Sequence, residues 1–189
     1  MSVLPIYIYG QPALRKKARP IKQIDDELVK LVDDMFETVR KANGVGLAAN
    51  QVGSLRRVIV VDISETEEGE SQPPIVLFNP EIVEDSGAWV MEEGCLSIPE
   101  IRDEVERPEH IRVKYMDRDF QERELSASGM LARVLQHEID HLNGVLFIDH
   151  LGAVKKKFLK GRLNKIQRGE VEVTYPIVTD TLHTMSETK

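Results

Sequence analysis

The sequence predicts an α+β fold, a compact single domain with antiparallel strands packed around a central helix. Three observations carry this. Short β-branched runs and helical patterns fall in separate blocks rather than alternating. One long amphipathic pattern includes a His-Glu-x-x-His segment. No repeat or linker interrupts the 189 residues, a length suited to one buried core.

The elements follow in order. Asp25 and Asp26 precede Leu28, Leu31, Val32, Met35, Phe36 and Val39, with Gly44 beyond. That is helical spacing with acidic residues at the start and a glycine past the end. A glycine-punctuated loop, Asn43 to Gly53, leads into Arg57–Ile63, a β-branched run that reads as a buried strand. Ser64 to Pro74 is polar and reads as a solvated loop. Ile75 to Phe78 is expected to be a strand ended by Asn79-Pro80. Ile111 to Tyr115 alternates as a half-buried strand does, and Phe120 to Leu125 pairs with it through Asp117–Asp119. Ser126 or Ser128 then caps a helix marked by Leu131, Val134, Leu135, Ile139 and Leu142, ending at Gly144. A basic helix is expected from about Val154 to Gln167. Residues 1–168 form the one folded domain in this reading, and 169–189 an aperiodic tail read as partly disordered.

Composition excludes several classes. Hydrophobic residues at 41% and charged residues at 30% describe an ordinary globular protein. A net charge of -7 argues against nucleic acid as a substrate. The one cysteine, Cys95, forbids an internal disulfide and suits a reducing compartment. The start has neither a basic region nor a long apolar stretch, and the longest apolar run is too short to span a bilayer. A cytoplasmic protein with no membrane partner is expected.

The chemistry concentrates at His137-Glu138-Ile139-Asp140-His141. Four residues advance a helix by about 6 Å and roughly 400°, so both imidazoles share a face and can grip one ion. Glu138 projects aside and is available as a base toward metal-bound water. The plainer alternative is a structural helix carrying two histidines. In metzincin proteases a third histidine follows the motif's glycine at a set distance, and here that position is Phe147. Cys95, in the glycine-flanked Glu92-Glu93-Gly94-Cys95-Leu96-Ser97, is the better third ligand, although a lone cysteine is more often inert and buried. Cys-His-His leaves one tetrahedral position open and suits zinc or ferrous iron equally. The run Gly44 to Gly53 could be only a helix C-cap and turn; it lacks the ending of a nucleotide loop. A metalloprotease, or a non-catalytic zinc or redox site, remains an alternative on these residues alone.

Three segments, taken together and in this order, resemble the signature motifs of peptide deformylases: Gly44-Val45-Gly46-Leu47-Ala48-Ala49-Asn50-Gln51, Glu93-Gly94-Cys95-Leu96-Ser97 and Gln136-His137-Glu138-Ile139-Asp140-His141. The resemblance runs from about Leu14 to His150. It implies hydrolysis of the N-formyl group from the formylmethionine of nascent polypeptides, releasing formate. It implies Cys95, His137 and His141 as ligands to one divalent ion, ferrous iron in the cell, with zinc, nickel or cobalt as substitutes. By the same resemblance Glu138 is general base and then acid, and Gln51 and the Leu96 N–H stabilise the oxyanion. Val45, Gly46, Gly94, Met130 and Val134 would bind substrate, and Arg102 would be structural. Arg133 is more polar than the aliphatic residue of some members and leaves the pocket's rim open. The basic helix 155–168 resembles the one some deformylases place on the ribosome; a solvated helix face is the alternative.

Overall fold

The structure is a computed structural model and describes residues 1–66 and 72–179. The chain opens with strand β1 (Ile6–Tyr7) and the 3-10 turn Pro12–Arg15, then helix α1 (Asp26–Lys41). Asp25 caps α1 by accepting from Leu28 N–H at 2.7 Å, placing its charge where the helix dipole favours an anion. Strand β2 (Gly46–Ala48), the 3-10 turn Ala49–Val52 and strand β3 (Val58–Val61) follow. Next come β4 (Ile75–Ser86), β5 (Trp89–Cys95), β6 (Ile98–Arg107), β7 (His110–Met116) and β8 (Glu122–Ser128). Helices α2 (Gly129–Leu142) and α3 (Ala153–Gln167) precede β9 (Ile177–Val178).

An antiparallel five-stranded sheet runs β2-β3-β4-β7-β8. Strands β5 and β6 make a separate hairpin, and β1 pairs parallel with β9. Every residue of β3 is buried because helices cover both faces. Ile59 and Val61 join the cluster under α2 (Ala132, Leu135, Ile139), while Val58 and Val60 join the one under α1 (Leu28, Val32, Met35). The period-two alternation of a strand thus sends neighbours to different cores. Helix α2 is the central element, buried nearly all round. Helix α3 buries only a stripe of Leu159, Leu163 and Ile166, packed against Ile98, Ile101 and Val105 of β6.

Three expectations need correction. Asn79-Pro80 does not end the strand; β4 continues to Ser86 through an irregularity between Phe78 and Glu81. Asn79 adopts a left-handed φ of 52, and its side chain accepts from Ile21 N–H and donates to Ile21 O, both at 2.8 Å. A bulge tolerates the proline, which has no N–H to offer a ladder. Strand β8 starts at Glu122, two residues later than Phe120, and continues to Ser128. Phe120 instead takes the positive φ of the turn that Asp117 closes by accepting from the Asp119 and Gln121 N–H groups. Ser128 does sit at the N-cap of α2, but its side chain makes no capping bond.

The tail is described as far as Thr179. Residues 171–179 return across the molecule to β9, and residues 180–189 lie outside the described residues. Within the Ser64–Pro74 loop, residues 67–71 lie outside them too. Among the described residues no helix is long and apolar enough to cross a membrane.

Asn79→Ala removes two hydrogen bonds and places a Cβ-bearing residue without local polar support at positive φ. Urea unfolding is expected to show a loss of about 2–3 kcal/mol; a loss below about 0.5 kcal/mol would mean the bulge holds without them.

Candidate metal centre

Helix α2 delivers His137 and His141 one turn apart, and the end of β5 delivers Cys95. The three donor atoms, one per residue, lie within 4.8 Å of one another. Cys95 Sγ is 3.2 Å from His141 Nε2, which is 3.3 Å from His137 Nε2. Phe147 is buried beside them and stacks on the His137 ring at 6.2 Å between centroids, so its side chain packs the site.

A buried charge network holds this arrangement. Glu93 on β5 contacts His137 Nδ1 at 2.9 Å and accepts from Arg107 at 2.6 and 3.1 Å and from Arg133 at 2.8 Å. Arg107 also reaches Asp140 at 2.7 Å, and Asp140 contacts His150 Nε2 at 2.8 Å. Burial alone would raise the Glu93 carboxyl, but hydrogen bonds from His137 and Arg107 outweigh it and hold the group well below the usual carboxylate range. Glu93 is therefore an anion, and it fixes the His137 ring with Nε2 directed to the other donors.

The electrostatics suit a cation. Burial pushes the His141 ring well below its ordinary value, leaving the neutral imidazole that a metal needs. Burial also opposes charge on His137, but hydrogen bonds with Cys95 and Glu93 outweigh it and push that ring well above its ordinary value; as a ligand it would bind through a deprotonated Nε2. Burial pushes the Glu138 carboxyl up to about 7, and its Oε2 is buried with no protein partner. Thiol, two imidazoles and an unpartnered buried carboxyl oxygen fit a divalent ion with a position left for a water molecule.

The other sequence-predicted residues converge here. A cavity of about 800 Å³ is lined by Val45, Gly46, Gln51, Gly94, Cys95, Leu96, Met130, Val134, His137 and Glu138, among others. The Ala48 N–H donates to Gln51 Oε1 at 2.8 Å, which directs Gln51 Nε2 to Ser97 Oγ at 3.2 Å and Cys95 Sγ at 3.7 Å. At Gly46 a Cβ would stand 2.7 Å from Glu138 Oε1 and 2.8 Å from Val134 Cγ1, so only glycine fits. Leu96 and Ser97 form the turn between β5 and β6. Arg102 is exposed at the cavity's edge and approaches Glu92 at 3.8 Å. Arg133, with a side chain only 4% exposed, bonds Glu93 and the carbonyls of Val105 and Trp89. Both terminal guanidinium nitrogens are thereby paired within the protein, while Nε is buried without a partner.

Sequence reasoning missed the network. Glu93 and Asp140 lay within motifs without a role, and Arg107 carried no local signal, because the partners are remote in sequence. It also missed Tyr175, whose hydroxyl donates to Leu96 O at 2.9 Å and is pushed up by burial.

The fold and centre define a metal-dependent hydrolase whose metal site joins a His-Glu-x-x-His helix to a cysteine on a hairpin. Residues 3–157 match the family model described as polypeptide deformylase. The peptide deformylase of Salinibacter ruber is 52% identical over 185 residues, covering 94% of this chain and 95% of that protein. That of Chlorobium luteolum is 46% identical over 178 residues, covering 94% of each. The crystal structure of a peptide deformylase from Legionella pneumophila aligns with a TM-score of 0.81 at 42% identity, covering 89% of this chain and 98% of that one. The chain belongs to the peptide deformylase family.

Replacing Glu93 by Gln removes the anion that Arg107, Arg133 and His137 share. Competition with a chelator is expected to show metal affinity falling about 10–100-fold. Unchanged affinity would separate the network from the metal.

Proposed function

We propose that this chain hydrolyses the N-formyl group from the N-terminal formylmethionine of nascent polypeptides, releasing formate, with Glu138 moving the proton. The observation that carries the reading is the meeting of Cys95, His137, His141, Glu138 and Gln51 at one cavity of a deformylase fold. Cys95, His137 and His141 are the metal ligands in this reading. A thiolate with two imidazoles suits ferrous iron, our choice for the cell, and equally accepts zinc, nickel or cobalt in a preparation. Such an ion, when bound, lowers the pKa of water toward neutrality and polarises the formyl carbonyl.

The chain's own groups do the rest. Glu138, buried beside the ligands, takes the proton of the attacking water and hands it to the leaving amine nitrogen. Gln51, held by Ala48, presents Nε2 as a neutral donor, and the Leu96 N–H is the second donor to the developing oxyanion. Val45, Met130 and Val134 give the cavity an apolar lining that suits the methionine side chain. Gly46 and Gly94 contact substrate in this proposal through their main chain, since the room left by their missing Cβ atoms is taken by Glu138 and Arg102 of the protein. The formylated products of bacterial-type translation place the protein in the cytoplasm.

Formate release from an N-formyl-methionyl peptide by iron-loaded protein tests the function, with metal-stripped protein and an unformylated peptide as controls. Glu138→Ala is expected to keep its metal and lose about 10²–10⁴-fold in turnover. Near-normal turnover in that variant would remove Glu138 from the mechanism, and no formate from metal-replete wild type would end the deformylase reading.

Helix α3 supplies a second contact in this proposal. Lys155, Lys156, Arg162 and Arg168 have partners within the protein. Lys157, Lys160 and Lys165 are exposed beside Phe158, which is 81% exposed. Such a face favours docking on the phosphate-rich ribosome surface. Co-sedimentation with ribosomes at low salt is expected to disappear on charge reversal of these three lysines; no co-sedimentation of wild type would exclude the contact.

A further inference from the structure

The chain beyond α3 turns back over the cleft. Glu172, Val173, Thr174 and Tyr175 line the cavity, and β9 then pairs with β1 through Ile6 N–H to Pro176 O at 2.8 Å and Ile8 N–H to Val178 O at 3.3 Å. The family match stops at residue 157, so this return segment lies beyond it. At its start, Glu172 N–H donates to Glu100 Oε1 of β6 at 3.1 Å.

The small parallel sheet holds the metal-ligand turn at two adjacent carbonyls. Tyr175, just before β9, donates its hydroxyl to Leu96 O at 2.9 Å. The Tyr9 N–H, just after β1, donates to Ser97 O at 2.8 Å. From inside the cavity, Gln51 Nε2 reaches Ser97 Oγ at 3.2 Å. A two-residue turn between strands can otherwise rotate its peptide planes in opposite senses, each compensating the other. The Leu96 carbonyl shares its plane with the Ser97 N–H, and the Leu96 N–H lies in the plane before it; anchoring the carbonyls of Leu96 and Ser97 fixes the Leu96 Cα and so narrows the positions open to that preceding plane. A donor contributes to catalysis only when already aimed where charge develops.

We propose that residues 171–179 form a strap that orients the Leu96 amide, with the Tyr175 hydroxyl as the positioning group. The inference rests on the reading of the Leu96 N–H as an oxyanion donor. Tyr175 itself touches neither the reacting atoms nor the metal ligands in this role.

The test compares wild type, Tyr175→Phe and Tyr175→Leu as metal-loaded full-length proteins acting on an N-formyl-methionyl tripeptide. Tyr175→Phe deletes only the hydroxyl, and kcat is expected to fall about fivefold, the effect of one hydrogen bond, with KM and metal content unchanged. Amide hydrogen exchange across residues 92–98 is expected to quicken in the same variant, with or without metal. Wild-type turnover and exchange in Tyr175→Phe would overturn the proposal, and a defect confined to Tyr175→Leu would mean that ring packing alone matters. A raised KM with intact kcat, or lost metal, would equally overturn it by assigning the strap to substrate or metal binding. If wild type releases no formate, the deformylase reading fails instead, and the exchange result still reports on the strap.

Discussion

The contact of Glu93 with His137 is the interaction on which the rest of the centre depends. It joins the β5–β6 hairpin to α2, and so joins the Cys95 side of the site to the histidine side. An isolated buried carboxylate is prohibitively unfavourable. Here two guanidiniums and an imidazole surround it, and each also reaches another element: Arg107 to Asp140, Arg133 to the Val105 and Trp89 carbonyls. Breaking such a set by removing one member leaves charges buried without partners, which is far more damaging than losing an exposed pair. The network is better understood as a device for geometry than as a source of net stability.

Around it, the sheet and helices supply rigidity. The alternation along β3 splits its side chains between two cores, so α1 and α2 are positioned by one strand. Gly46 sits at the edge of that sheet, where the absence of a Cβ lets Glu138 and the backbone of β2 approach closely. A substitution there would press on the Glu138 carboxylate and on Val134 of the core together.

Much of this was legible in the sequence. Helix α1, the strand around Val58–Val61 and α2 with its two histidines carry their periodicity openly, while α3 was read from its run of basic residues. The association of Cys95 with the histidines followed from donor chemistry and family resemblance, and the fold brings those atoms together. The β5–β6 hairpin was not legible, because its inward positions include Glu93 and Arg107 and so spoil the apolar alternation that marks a strand. Asn79-Pro80 read as a stop because local signals do not reveal that a side chain can replace main-chain partners. The strap had no signal either: β9 is two residues long, too short for any period, and its partner lies at the other end of the chain.

That pairing of β1 with β9 has a thermodynamic consequence. It closes a contact of very large sequence separation with only two residues on each strand. The intervening chain is held by the rest of the fold, and the ends themselves are joined by Ile6 N–H to Pro176 O and Ile8 N–H to Val178 O. Tyr7 and Ile177 pack at the margin of the cluster under α3, apart from the two clusters on either side of the sheet. Opening of the strap is thus a sub-global event, with a free energy below that of the whole molecule. The rim of the cleft can thus open while the body beneath it stays folded, an equilibrium distinct from the unfolding of the whole.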